Sequence, residues 1–347
     1  MRVKKLEPVI HVDEKKCVNC HACISACPVK YCIDGSGDYV TIKPELCIGC
    51  GNCISACTHE ARSGIDDFDA FLSALKRGEK IVAVAAPAVA SSFPGEYLNV
   101  NGFLASLGVK AVFDVSFGAE LTVKSYIEHM KARHPSLVIA QPCPAIVSFM
   151  EIYAPNLLPH LAPADSPMMH TMKMVRRYYD SYKNHRIAVI SPCYAKRREF
   201  DEVGIGDFNV TIKSLSSYLK SAGKTLKDFP PAQFSNPPAE RAVLFSSPGG
   251  LMRTVERESP ETARKVRKIE GPHTIYPYLE KLPDMLRKGM QPLLVDCLSC
   301  ELGCNGGPGT LNQGKSPDEA EYPIEKRREE MQKRCVVKTG IGILTRA

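Results

Sequence analysis

The stretch Asp296 to Thr310, reading DCLSCELGCNGGPGT, constrains the fold more than any other part of the sequence. The apolar run Pro292–Val295 ahead of it predicts a buried strand that feeds directly into Cys297, Cys300 and Cys304. Asn305-Gly306-Gly307-Pro308-Gly309 follows, a backbone nearly bare of side chains that can pass close to a bulky inorganic group. The spacing Cys300-x3-Cys304 suits two ligands of one iron–sulfur cube, so its other ligands must come from elsewhere in the chain. Cys143 and Cys193 stand out. Each follows an apolar run (Leu137–Ala140 and Ile187–Ile190), and each is preceded by proline. All three segments read as buried strand, abrupt turn, cysteine. Ligands of α/β sheets gather at the carboxyl ends of strands, so the pattern predicts that these cysteines converge on one pocket.

The front of the chain holds an internal repeat. Its first half is Cys17-x2-Cys20-x2-Cys23-x3-Cys27-Pro28 and its second Cys47-x2-Cys50-x2-Cys53-x3-Cys57. This is the two-cluster ferredoxin pattern, in which the fourth cysteine of each run ligates the other cluster. One cube would use Cys17, Cys20, Cys23 and Cys57, the other Cys47, Cys50, Cys53 and Cys27. Thr58 stands where the second run usually has proline, which leaves the ligands intact. Zinc sites do not normally use two such runs. Cys32 lies outside the pattern as a spare thiol. So small a module has little core, and its clusters would supply much of its folding energy.

The 347 residues hold Lys+Arg 45 against Asp+Glu 38, a formal +7 that suggests nucleic acid. A cube core of about +2 on four thiolates is net about −2, so three clusters remove about six charges. No basic stripe interleaved with aromatics is present either, and nucleic acid is set aside. Fifteen cysteines in tight C-x-x-C groups read as metal ligands rather than a secreted disulfide framework. No secretory signal is evident at the N-terminus. The longest apolar run, Ile81–Ala90, is broken by Pro87 and falls short of about 18 residues, so no membrane span is expected. These features together predict a reduced, cytoplasmic iron–sulfur protein.

Asp66–Lys76 has helical periodicity and ends at Gly78, which places a domain boundary near residue 64. Strands are expected at Ile81–Ala85, Val109–Val115, Leu137–Ala140, Ile187–Ile190 and Ala242–Phe245, alternating with helices. Ser166-Pro167 opens a helix to about Tyr182, with Ser as cap and Pro in the first turn. The methionines Met168, Met169, Met172 and Met174 on it read mainly as core. EKRREEMQKR near the end reads as a solvated helix. The chain therefore divides into a small α+β module (1–64), an α/β domain with a sheet flanked by helices (65–325) and a charged tail (326–347).

QPCPAIVSFME (141–151), SPCYAKRREF (191–200) and CLSCELGCNGGPG (297–309) resemble the three signature segments of the iron-only, or [FeFe], hydrogenase catalytic domain. The resemblance covers roughly residues 79 to 325, in the right order. It implies an H-cluster at strand carboxyl ends: a [4Fe–4S] cube held by Cys143, Cys193, Cys300 and Cys304. Cys304 would bridge to a diiron unit with carbonyl, cyanide and azadithiolate ligands. Lys196 and Ser166 would hydrogen-bond the two cyanides. Ala86, Pro87, Phe245, Ser246 and Met168 would line the pocket. The resemblance further implies reversible oxidation of hydrogen, with electrons passing through two [4Fe–4S] clusters to a ferredoxin-like carrier. Maturation proteins would supply the diiron unit.

The departures bear on rate. Pro142 stands where the family's prototypes have a proton-relaying cysteine, and Ser191 and Leu298 where they have methionines. Ala162 replaces a relay serine, which leaves water, or Glu120 and Glu128, as candidates for a substitute route. These changes resemble the sensory branch of the family, so a slow, sensor-like hydrogenase is expected. A hydrogen-sensing regulator and a non-enzymatic iron–sulfur assembly factor without the diiron unit are the alternatives.

Overall fold

The computed structural model describes residues 6–339. Residues 340–347, the end of the stretch set apart as a tail, lie outside the described residues.

The cysteine repeat folds as a repeat. Strand β1 (Ile10–Val12), helix α1 (Ala22–Ser25) and strands β2 (Ile33–Asp34) and β3 (Thr41–Ile42) lead to helix α2 (Asn52–Ser55) and strand β4 (Arg62–Gly64). β1 pairs antiparallel with β4, and β2 with β3. Asn19 and His21 in the first run, and Gly49 and Gly51 in the second, all have positive φ. Left-handed backbone at matching points turns each cysteine loop inward before its helix. Val9, Ile10, Val40 and Ile48 pack in one buried cluster with Ile146, Phe149, Tyr276 and Leu279 of the larger domain, so the module's core is not its own.

The larger domain alternates helix and strand. It begins with α3 (Phe68–Lys76), β5 (Ile81–Ala85), α4 (Val89–Ser92), α5 (Tyr97–Ser106), β6 (Val112–Asp114) and α6 (Val115–Arg133). Next come β7 (Val138–Ile139), α7 (Pro144–Tyr153), α8 (Pro167–Tyr178), β8 (Arg186–Ser191), α9 (Arg197–Val203), β9 (Phe208–Thr211) and α10 (Ile212–Ser221). It closes with α11 (Gly250–Glu258), β10 (Val266–Glu270), α12 (Pro272–Arg287), β11 (Leu294–Leu298) and α13 (Pro317–Thr339). The expected α/β layering is present, as two parallel sheets: β6-β5-β8-β9 and β10-β11-β7. Every residue of β5 is buried, which explains its unbroken apolar run.

Three expectations are corrected. Ala242–Phe245 forms a buried 3-10 turn, Ala242–Ser246, because a short apolar run fits a tight turn packed on α6 as well as it fits a strand. α8 stops at Tyr178, where Tyr179 leaves helical backbone, though Ser166 caps it as expected by accepting the Met169 N–H. The charged stretch from residue 326 is the expected helix with a solvated face, but it is not a separate tail. It continues α13, whose Ile324, Arg327 and Met331 are buried against the domain.

Candidate metal centre and the cavity beside it

The four cysteines of the signature segments leave the ends of strands from both sheets. Cys193 follows β8, Cys143 follows β7 as the residue preceding α7, and Cys300 and Cys304 lie in the turn after β11. Gly307 brings the third segment onto the second. A side chain there would meet the Pro192 carbonyl oxygen at 2.4 Å, so only glycine lets the Cys304 loop lie beside Cys193.

Burial pushes the Cys193 thiol up to about 11 and the Cys304 thiol up to about 12, and Cys300 well above its ordinary value. Neighbouring cysteines add to the rise: Cys143 acts on the other three, and Cys193 and Cys304 both act on Cys300. Cys193, Cys300 and Cys304, which resist becoming anions alone, suit a polycation beside them, since binding a positive core releases their protons. Four cysteines are also the full ligand set of a cube. Among the described residues, no three His, Cys, Asp or Glu side chains stand close enough to hold a single ion. Cube ligands bind four different irons and stand further apart than that. The donor set fits an iron–sulfur cube.

A cavity of about 60 Å³ opens on the far side of Cys304. Its walls include Ala86 and Pro87 after β5, Ser191 at the end of β8, Leu298 at the end of β11, and Pro142, Met168, Lys196, Phe245 and Ser246. Proximity thus joins all of these expected site residues except Ser166. That serine lines a separate cavity of about 500 Å³, with its oxygen capping α8. Ser191 is tied to Asn209 Oδ1 (2.7 Å) and to the Cys193 carbonyl (2.9 Å). Ser246, by contrast, has a buried hydroxyl with no hydrogen-bond partner in the protein. Its unspent polar group in a largely apolar wall suits a ligand that carries acceptors.

Lys196 is the one charged wall residue. Its Nζ donates to the Pro142 carbonyl (3.0 Å) and to Glu199 Oε2 (2.5 Å). Burial works against its charge, but Glu199, then Cys304 and Cys193, raise its pKa overall. Glu199 escapes a reading of the sequence. It sits three residues beyond Lys196 in a run that looks like surface charge, and its burial is a tertiary fact. Glu120 accepts the Glu240 N–H (2.6 Å), and Glu128 pairs with exposed Lys124. Neither lines the cavity, nor does Cys297, whose thiol faces the Ala140 carbonyl at 3.5 Å.

The N-terminal cysteines show one tight group. Burial raises Cys50 well above its ordinary value and Cys53 to about 12, while both also feel Cys27 and Cys47. Cys32 is buried beside this group, 3.7 Å from Cys27, and hydrogen bonding to it lowers Cys27 to about 7 and Cys47 to about 6. Cys17 and Cys57 are half-buried and Cys20 is exposed, which puts the other expected set nearer the surface. Cys50 and Cys300 line one crevice, and buried Tyr276, bonded to Ser299 (2.7 Å), feels Cys50, Cys143 and Cys300. The inner group of the module therefore abuts the four-cysteine centre.

The sequence pattern for the C-terminal domain of the iron only hydrogenase large subunit matches residues 79–308, and that of the 4Fe-4S dicluster domain matches residues 9–64. The chain is 28% identical to the periplasmic [Fe] hydrogenase large subunit of Nitratidesulfovibrio vulgaris, over 72% of this chain and 67% of that one. It is 30% identical to iron hydrogenase 1 of Clostridium pasteurianum, over 73% and 51%. The chain thus spans from half to two thirds of these relatives. A cytosolic Fe-S cluster assembly factor of Encephalitozoon cuniculi is 22% identical, over 60% and 62%. An [FeFe]-hydrogenase solved in a study of oxygen inactivation shares the fold, with a TM-score of 0.59 and 20% identity over 75% of this chain and 88% of that one. With two parallel sheets delivering four cysteines to one centre, and a 4Fe-4S dicluster domain ahead of them, the chain belongs to the iron only hydrogenase family.

Proposed function

We propose that this chain is an [FeFe] hydrogenase, slow and sensor-like, that interconverts hydrogen with protons and electrons. The observation that carries the reading is the small cavity against Cys304, closed by apolar groups and one buried lysine. A diiron unit with carbonyl, cyanide and azadithiolate ligands, bound there, supplies the electrophilic metal and the base that splitting hydrogen requires. Cys143, Cys193, Cys300 and Cys304 would hold the cube, and Cys304, the one of the four that lines the cavity, would be the ligand shared with the diiron unit. Lys196 spends two of its three donors on Pro142 and Glu199, leaving one for an anionic ligand. Ser246 offers a second donor. Ala86, Pro87, Met168, Phe245 and Leu298 keep bulk water out.

Cys50 and Cys300 line one crevice, so an inner cluster held by Cys47, Cys50, Cys53 and Cys27 would be the first electron carrier beside the centre. Cys17, Cys20, Cys23 and Cys57 would hold the outer one, with the face around exposed Cys20 open to a ferredoxin-type carrier. Maturation proteins of the cytoplasm deliver the diiron unit. Pro142 carries no transferable proton, which keeps turnover low. The assembly-factor reading draws on the E. cuniculi relative and on that same proline. Infrared spectra after loading with the diiron unit separate the two. Carbonyl and cyanide bands are expected; their absence from protein with all three cubes in place would sink the hydrogenase reading and leave the assembly factor.

A further inference from the structure

The segments 141–144, 166–169 and 196–199 each contribute side chains to both cavities beside this centre, and so form the wall between them. Lys196 lines the small cavity with Cys304, whereas Glu199 lines the larger one of about 500 Å³. The ion pair between them spans the wall, with side chains only 13% and 14% exposed. Among the residues of the small cavity, Lys196 and Cys304 alone are titratable, and Cys304 is taken as a ligand. Ser191, Ser246 and the backbone are the other polar groups there, and Ser191 is already bonded to Asn209 and Cys193. On the other side, Glu7, Asp201 and Glu202 are exposed at the rim of the larger cavity, with Glu151 and Asp165 deeper. Buried Arg198 completes its charged wall and is held by the Cys47 carbonyl (2.7 Å).

We propose that Glu199 and Lys196 form the proton route of this protein, linking the diiron cavity to the carboxylate-lined cavity and standing in for the relay that Pro142 interrupts. Inward, the Lys196 ammonium gives one N–H proton to the acceptor in the small cavity. Protonated Glu199 returns one to the lysine amine, and Glu199 is then reprotonated from water in the larger cavity. One proton crosses the wall per cycle, no electron moves along the route, and oxidation of hydrogen runs the same steps outward. The inference rests on the hydrogenase reading and deepens it.

Glu199→Gln tests it, because the amide oxygen still accepts from Lys196 while the group can no longer carry a proton. Turnover per diiron site, normalised by the carbonyl bands, should fall about 10²- to 10⁴-fold. Glu199→Asp should recover part of the loss. Independently of turnover, infrared difference spectra between reduced and oxidised holoprotein should show a carboxyl band that shifts in heavy water, moves in the Asp variant and is lost in the Gln variant. Unchanged turnover and an unchanged carboxyl band in Glu199→Gln, with carbonyl and cyanide bands intact, would overturn the route and leave the hydrogenase reading standing. Absence of those bands from the unsubstituted protein would overturn both.

Discussion

Asp296 is buried on β11, one residue before Cys297, and accepts the Met252 N–H at 2.9 Å. Burial, followed by the repulsion of Glu270, pushes its carboxyl up to about 7 against the Met252 bond and Lys268. Between about pH 4 and pH 7 the folded protein therefore keeps a proton that the unfolded chain releases. Stability falls as pH rises through that window and levels off above it. Asp296→Asn keeps the acceptor for Met252 and removes the cost of ionisation. At pH 8 it should be more stable than the native protein by up to about 4 kcal/mol, with little difference at pH 4. Anaerobic thermal melts across that range check this, and a native pH slope that persists in the Asn variant would contradict it.

At the scale of elements, α13 backs the small cavity without lining it. Its Ile324 packs with Ala90 of α4 and Leu244 of the 3-10 turn whose Phe245 and Ser246 line the small cavity beside Cys304. Ser91 donates to the Ala320 carbonyl (2.5 Å), and Arg327 pairs with Asp114 at the end of β6 (2.5 Å) with both side chains buried. Breaking a buried pair on one side strands a charge, so Arg327→Ala should cost about 3–5 kcal/mol. Its neighbour Arg328, whose partner Glu325 lies on the same helix, should cost under about 1 kcal/mol. Equal melting temperatures for the two alanine variants would show that α13 does not brace the domain. This helix is also the least legible element in the sequence. EKRREEMQKR has a single apolar residue, and nothing local marks Arg327 as a buried ion. The strands that end at the cysteines are legible because each apolar run is closed by Pro-Cys or Asp-Cys, which marks a turn to a ligand. Ala242–Phe245 is a run of the same length with no cysteine after it, and its bare apolar pattern does not tell strand from turn. Lys196 is legible from its distance to Cys193, whereas only burial tells Glu199 from surface charge.

For the whole molecule, the twelve assigned cysteine ligands imply three cubes, or about twelve irons before any diiron loading. Cys143→Ala should lower this to about eight if the four-cysteine centre fails to hold its cube, measured by iron and acid-labile sulfide after anaerobic reconstitution. A variant that still holds about twelve would show that Cys143 is dispensable as a ligand. The same three cubes would carry about six negative charges, bringing a chain of formal +7 close to neutrality. The N-terminal module is fastened by more than its linker. Tyr153 donates to the Leu46 carbonyl (2.7 Å), Arg198 to the Cys47 carbonyl (2.7 Å), and Ser55 to Gln313 (3.1 Å). At Gly51 a side chain would run into Pro308 at 2.6 Å.

That shared interior decides what can be swapped. A carrier strung on a flexible tether can be exchanged for another of suitable potential, because its surface is its own. Here the inner wall of the carrier is one side of the core that Ile146, Phe149, Tyr276 and Leu279 complete. A graft of a foreign ferredoxin onto residue 65 would leave those apolar groups facing water, whatever the potential of its clusters. Successful replacements would have to copy Val9, Ile10, Val40 and Ile48, together with the bare backbone at Gly51, before any question of electron flow arises. On the reading proposed above, the wire would be part of the wall of the device, and breeding a new electron partner would start from the exposed face around Cys20, with Cys20 itself kept.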